Sequence, residues 1–187
     1  MNEWVNNPLR RYAMGAWYLA TGRGPMGFQT PQLCAFTKSD PTQTLANLQY
    51  HVSPASADYF GGPLHRWPGL SCGIAFVRPQ SIGHCHVKSE DAREHPSILH
   101  NFLQSDESRR VAVDAIRLTR RIVAGDALKP FSPEEIYPGP RVQTDEEILA
   151  YARQTVITVF HQSGTCKMGG DDLAVVDVRL RVRGVQG

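Results

Sequence analysis

The residues best equipped for chemistry lie near the end of the chain. They are Phe160-His161-Gln162-Ser163-Gly164-Thr165-Cys166-Lys167-Met168-Gly169, followed by Val175-Val176-Asp177 and then by Leu180-Arg181-Val182-Arg183-Gly184-Val185. One histidine stands at the mouth of a turn made of small residues and glycines. An imidazole there suits general-base work near neutral pH, and glycine lets the backbone approach a flat ligand closely. Taken alone, a single histidine is more often structural than catalytic. Cys166 follows by five residues, so a thiol nucleophile with a histidine base is a second reading. Nothing supplies an orienting partner, and a buried small thiol is the simpler account.

Two other patterns suggest chemistry, and each has a simpler reading. His84 and His86 flank Cys85, and in a strand both imidazoles would project from one face. No further Cys or His has zinc-like spacing around them, so surface histidines are the simpler reading and no metal site is expected. Gly22-Arg23-Gly24-Pro25-Met26-Gly27 matches GxGxxG letter for letter. The dinucleotide turn needs a strand before it and a helix after it. Here a helix pattern precedes it, Pro25 sits inside it and Thr30-Pro31 follows, which predicts a connecting loop.

The elements that must position these residues can be read from local signals. Asn7 as cap and Pro8 at the first helical position open a helix, with Leu9, Tyr12, Ala13, Ala16, Trp17 and Ala20 on one face and Gly22 at its end. Leu48, Tyr50 and Val52 alternate with Gln49 and His51, which predicts a two-faced strand. Residues 54–70, rich in Pro, Gly and Ser, read as a long loop. Residues 71–78 and 83–89 read as strands joined across Pro79-Gln80-Ser81, too short a link for a crossover, so antiparallel pairing between them is expected. Ser105 caps a helix to about Ala124, with Val111, Ala115, Leu118 and Ile122 as its buried stripe and Gly125 as its stop. After a proline-rich connector over 130–140, Thr144 and Glu147 form a capping box for a helix through about Thr155. Strands followed by helices point to an α+β architecture, an antiparallel sheet with flanking helices.

Composition narrows the class. Hydrophobic content of 41% and charge content of 20% are those of a globular chain. A formal net charge of +2 with scattered basic residues gives no reason to invoke nucleic acid. No run approaches the roughly 18 apolar residues of a membrane span, and residues 1–7 lack a secretory pattern. Cys34, Cys72, Cys85 and Cys166 form no CxxC pair, which fits a reduced, cytoplasmic setting.

The stretch from Phe160 to Val185 resembles the C-terminal signature of the glucose-methanol-choline (GMC) family of FAD-dependent alcohol oxidoreductases. Arg78-Pro79-Gln80-Ser81-Ile82-Gly83 with Ser89-Glu90-Asp91 resembles that family's RPxSRG…SxDP segment, although Ile82 replaces the usual arginine and Ala92 the usual proline. Asn47-Leu48-Gln49-Tyr50-His51 resembles a strand of choline-dehydrogenase-like members, and the likeness covers effectively the whole chain. The resemblance implies FAD as cofactor, His161 as the base that takes a hydroxyl proton, and Gly164 and Thr165 beside the flavin. It places Phe160 at the substrate pocket, with plain packing an equal alternative. It also implies a substrate-binding part over residues 1–157 and, over 158–187, a return toward a flavin part whose Rossmann-type unit has no valid equivalent in this sequence. The family's second active-site residue, a His or Asn, would fall past Gly187, so the chain reads as a fragment of a larger enzyme. The implied substrate is a small primary alcohol such as choline, with Tyr50, Tyr59, Trp67 and Phe76 as candidates for holding a quaternary ammonium. No motif assigns the electron acceptor. The competing expectation is a catalytically inert interaction module derived from such an enzyme.

Overall fold

The structure is a computed structural model that describes residues 1–28 and 31–185. Gln29, Thr30, Gln186 and Gly187 lie outside the described residues. In chain order the helices are α1 (Asn2–Asn6), α2 (Pro8–Thr21), α3 (Asp106–Val123) and α4 (Asp145–Thr155). The strands are β1 (Leu33–Thr37), β2 (Leu48–Ser53), β3 (Ser71–Phe76), β4 (His84–His86) and β5 (Ser97–Leu99). The chain divides into two units, residues 1–79 with 114–134, and residues 80–113 with 135–187. α3 contributes residues 106–113 to the second and 114–123 to the first.

In the first unit β1, β2 and β3 form an antiparallel meander with β2 in the middle. Leu48 faces Thr37 on one side and Phe76 on the other. The expected alternation holds: Leu48 and Tyr50 are buried, while Gln49 and His51 turn to the other face. Tyr50 completes this core with a polar tip, its hydroxyl donating to the Ala115 carbonyl at 3.2 Å and meeting Thr119 Oγ1 at 3.0 Å. Burial pushes its phenol pKa up.

The long loop after β2 is held by polar ties. Asn2, fully buried, donates from Nδ2 to Ser56 Oγ at 2.9 Å and to the Trp67 carbonyl at 3.0 Å, while its Oδ1 accepts from the Ser56 amide at 3.0 Å. His65 bridges Ser56 Oγ and Asp58 Oδ1, each at 3.0 Å, and stacks on Trp67. A buried amide with its partners matched costs little; stripped of them it would cost about 1–3 kcal/mol. α1, which supplies Asn2, was not legible in the sequence.

α2 begins and ends as its caps predict. Asn7 Oδ1 accepts from the Arg10 amide at 3.1 Å, and Gly22 closes the helix in the left-handed region. GxGxxG then forms a single 3-10 turn over Pro25–Gly27, in keeping with a connecting loop. The apolar face of α2 is open: Leu9 and Tyr12 are exposed, as is Leu19, and only Met14 is buried.

In the second unit β4 pairs with β5, antiparallel. This corrects the expected pairing of 71–78 with 83–89. Ser71–Phe76 pairs over six residues with β2 and forms the edge of that sheet. β4 finds instead Ser97–Leu99, a strand that three residues of sequence gave no means of recognising. α3 starts at Ser105, whose Oγ accepts from the Ser108 amide at 3.1 Å, and Val111 and Ala115 of its predicted stripe are buried while Ile122 is exposed. The capping box of α4 is complete, with Thr144 Oγ1 accepting from the Glu147 amide and Glu147 Oε2 from the Thr144 amide, and Ile148 beneath it is fully buried. Among the described residues no helix is long and apolar enough to cross a membrane.

Two outcomes are expected. Leu48→Ala should cost about 2–5 kcal/mol in urea unfolding, because it empties a fully buried site, whereas Leu9→Ala should stay within about 0.5 kcal/mol. Asp40, in the turn after β1, accepts hydrogen bonds from Thr42 and Gln43, and these hold its carboxyl far below its ordinary value of 3.8. Its stabilising effect is therefore complete above that value and is lost as pH falls below it. Asp40→Asn should lower the urea midpoint near neutral pH, and the gap from the unaltered chain should shrink by about pH 3.

Candidate active-site segment

The segment carrying His161 leaves the end of α4, where the Val156 amide still donates to the Ala152 carbonyl. The next contact redirects the chain. Thr158 Oγ1 accepts from the Phe160 amide at 2.9 Å, and the Gln162 side-chain amide meets the same oxygen. A threonine bonding the amide two residues on is a side-chain mimic of a backbone turn. Phe160 follows with φ 61°, a conformation that costs a residue with a Cβ roughly 1–2 kcal/mol. Such backbone is kept only where its surroundings impose it, and it concentrates at functional positions.

His161 comes directly after this bend, and its side chain is exposed, with no apolar core around it. Phe160 is exposed as well, at 68%. Gly164 has φ 99°, and a Cβ built there would meet nothing within 4 Å. Gly164 and Thr165 thus present an open strip of backbone beside the imidazole's own loop. Cys166 is an exposed thiol, so the buried-thiol reading is corrected: the turn places it outside any core. All four cysteines are free.

Beyond the turn the chain ties itself together. Val175 and Val176 donate to the Lys167 carbonyl at 2.8 and 3.3 Å, and Gly169 donates back to Val176 at 3.1 Å. Val176 bridges Met168 on one side and Val182 on the other. Asp177 anchors the last loop: Oδ1 accepts from the amides of Arg179 at 2.8 Å and Arg181 at 3.1 Å, and Oδ2 from Arg181 Nε at 2.8 Å. The Arg181 guanidinium holds the Asp177 carboxyl below the usual carboxylate range, and Lys167 does the same for Asp171. Val175, Leu180, Val182 and Val185 are exposed, Val176 is half-buried and Ala174 is buried.

The other candidates fall differently. Tyr50 is committed to the first unit's core, which corrects its place among the ammonium-binding aromatics: a phenol hydrogen-bonded within the core presents no face to a ligand. Trp67 stacks on His65, and Tyr59 is exposed on the loop. Among the described residues no group of three His, Cys, Asp or Glu is placed to hold a metal ion. Thr158 was missed from the sequence; the signal was a threonine two residues before an amide that needs turning.

An antiparallel α+β chain with a histidine on a glycine-bordered bend is the class that fold and segment define. Residues 79–187 match the C-terminal family model of the GMC oxidoreductases, and the chain belongs to that family. It is 39% identical over 184 residues to the oxygen-dependent choline dehydrogenase of Citrobacter koseri, covering 98% of this chain and 32% of that protein. To the enzyme of the same name from Serratia proteamaculans it is 38% identical over 185 residues, covering 99% and 33%. The chain therefore spans about a third of the length of these relatives. The crystal structure of pyridoxine 4-oxidase from Mesorbium loti superposes with a TM-score of 0.70 at 23% identity, over 82% of this chain and 30% of that one, a likeness of fold.

Asp177→Ala removes three acceptor contacts at once. Amide exchange at Arg181 should accelerate in that variant while protection at Ile148, inside α4, stays unchanged; hydrogen-exchange mass spectrometry reads both.

Proposed function

We propose that this chain forms part of an FAD-dependent alcohol oxidoreductase that oxidises a small primary alcohol, choline or one like it, to an aldehyde. The observation that carries the reading is an exposed imidazole set directly after a positive-φ residue and beside open glycine backbone. The names of the relatives, choline dehydrogenases, support the substrate class.

His161 is the proposed base. Held outward by the Phe160 bend, a neutral imidazole can take the hydroxyl proton of the alcohol at one ring nitrogen. Phe160 is the proposed substrate contact, an exposed ring adjacent to that base. Gly164 and Thr165 are the residues that would hold the flavin: Gly164 has open space where a Cβ would stand, and Thr165 beside it is exposed. When bound, the flavin supplies the acceptor for the hydride of the carbinol carbon. Residues 1–157 serve in this reading as the substrate-binding part, and residues 158–187 return the chain toward the flavin part.

His161→Ala in the flavin-loaded enzyme should slow alcohol oxidation by about 10²–10⁴, the usual worth of a placed general base. Single-turnover absorbance at the flavin band measures it. An unchanged rate would remove His161 from the role.

A further inference from the structure

We infer that the β4–β5 hairpin carries a two-histidine chelate for a divalent transition-metal ion, formed by His84 and His86. The two residues lie on one face of β4, with Cys85 turned to the other. Both are exposed, and their ring centres stand 4.6 Å apart with planes inclined at 45°.

That spacing matches what a metal requires. An imidazole nitrogen binds at about 2.0–2.1 Å, which sets each ring centre about 3.1 Å from the ion. Two rings bound at a right angle then have centres about 4.4 Å apart, and at the tetrahedral angle about 5.1 Å. The observed separation lies between these two values, within the span that two imidazoles on one ion adopt.

The strand beneath is fixed before any ion arrives. Asn101 Nδ2 donates to the Ile82 carbonyl at 3.0 Å, just ahead of β4. A Cβ on Gly83 would come within 1.8 Å of the Leu99 carbonyl oxygen, so only glycine allows the hairpin to close this tightly. Across the ladder His84 faces Leu99 and His86 faces Ser97, so no acidic side chain stands opposite either ring. With no third His, Cys, Asp or Glu placed to join them among the described residues, water would complete the coordination. The site is an exchangeable surface chelate.

Ni²⁺ is the probe, because the exposed Cys34, Cys85 and Cys166 thiols would reduce Cu²⁺. Calorimetric titration of the full chain, cleared of metal with EDTA, should give one Ni²⁺ per chain. His84→Thr or His86→Thr should each weaken binding on the order of a hundredfold, the advantage of a second ligand already held nearby. His95→Ala, which leaves the pair intact, should not change it. Paramagnetic broadening by Ni²⁺ in the unaltered chain should centre on the amides of 84–86 and 97–99. Affinity in either threonine variant equal to that of the unaltered chain, or broadening centred elsewhere, would overturn the assignment.

Discussion

The hydrogen bond from the Phe160 amide to Thr158 Oγ1 is the contact that redirects the segment carrying His161. α4 delivers the chain along its axis, and without a redirecting contact the backbone would continue as an extended strand past Val156. The threonine oxygen takes the amide that an ordinary turn would give to a carbonyl, and Phe160 is driven to positive φ. His161 is then presented outward. The strain is small beside the capping box and the buried Ile148 that fix α4 upstream, so the helix can bear it.

Polar ties do much of the positioning elsewhere as well. Asn2, Ser56 and His65 are knotted together under the long loop, and Asn47 reaches Ser39 across the β1–β2 turn, with its Oδ1 accepting from the Ser39 amide at 2.8 Å. Asp177 orders the final loop by the same device. Directional bonds fix a loop where apolar area is short, since each has one acceptable geometry whereas apolar contact has many. Apolar burial lies at Leu48, Tyr50, Ile148 and along Val111–Ala115 of α3, while the stripe on α2 and Val175, Val178, Val182 and Val185 of the last segment stay open to solvent.

Local signals in the sequence located what local physics controls. The Asn7-Pro8 start, the Gly22 stop, the Ser105 cap and the Thr144–Glu147 box all fall where expected, because each satisfies its own orphan amides within a few residues. The alternation in β2 likewise exposed its buried face. Pairing was harder. Residues 71–78 and 83–89 were near in sequence and looked like partners, yet β3 joined β2 across a long loop, and β4 took Ser97–Leu99. The candidate site divides in the same way: His161 and Gly164 were singled out through the family resemblance, whereas Thr158 and the withdrawal of Tyr50 into the core were not legible.

By itself, then, the order of amino acids determined where helices begin and end, which strand face is apolar, and which imidazole borders the glycine turn. Each of these follows from interactions among residues close along the chain. Only the tertiary structure decided strand partners, the withdrawal of Tyr50 into the core, and the closed hairpin that carries His84 and His86. Those depend on contacts whose energy becomes available only after distant segments have met, and no local pattern encodes which segments will meet.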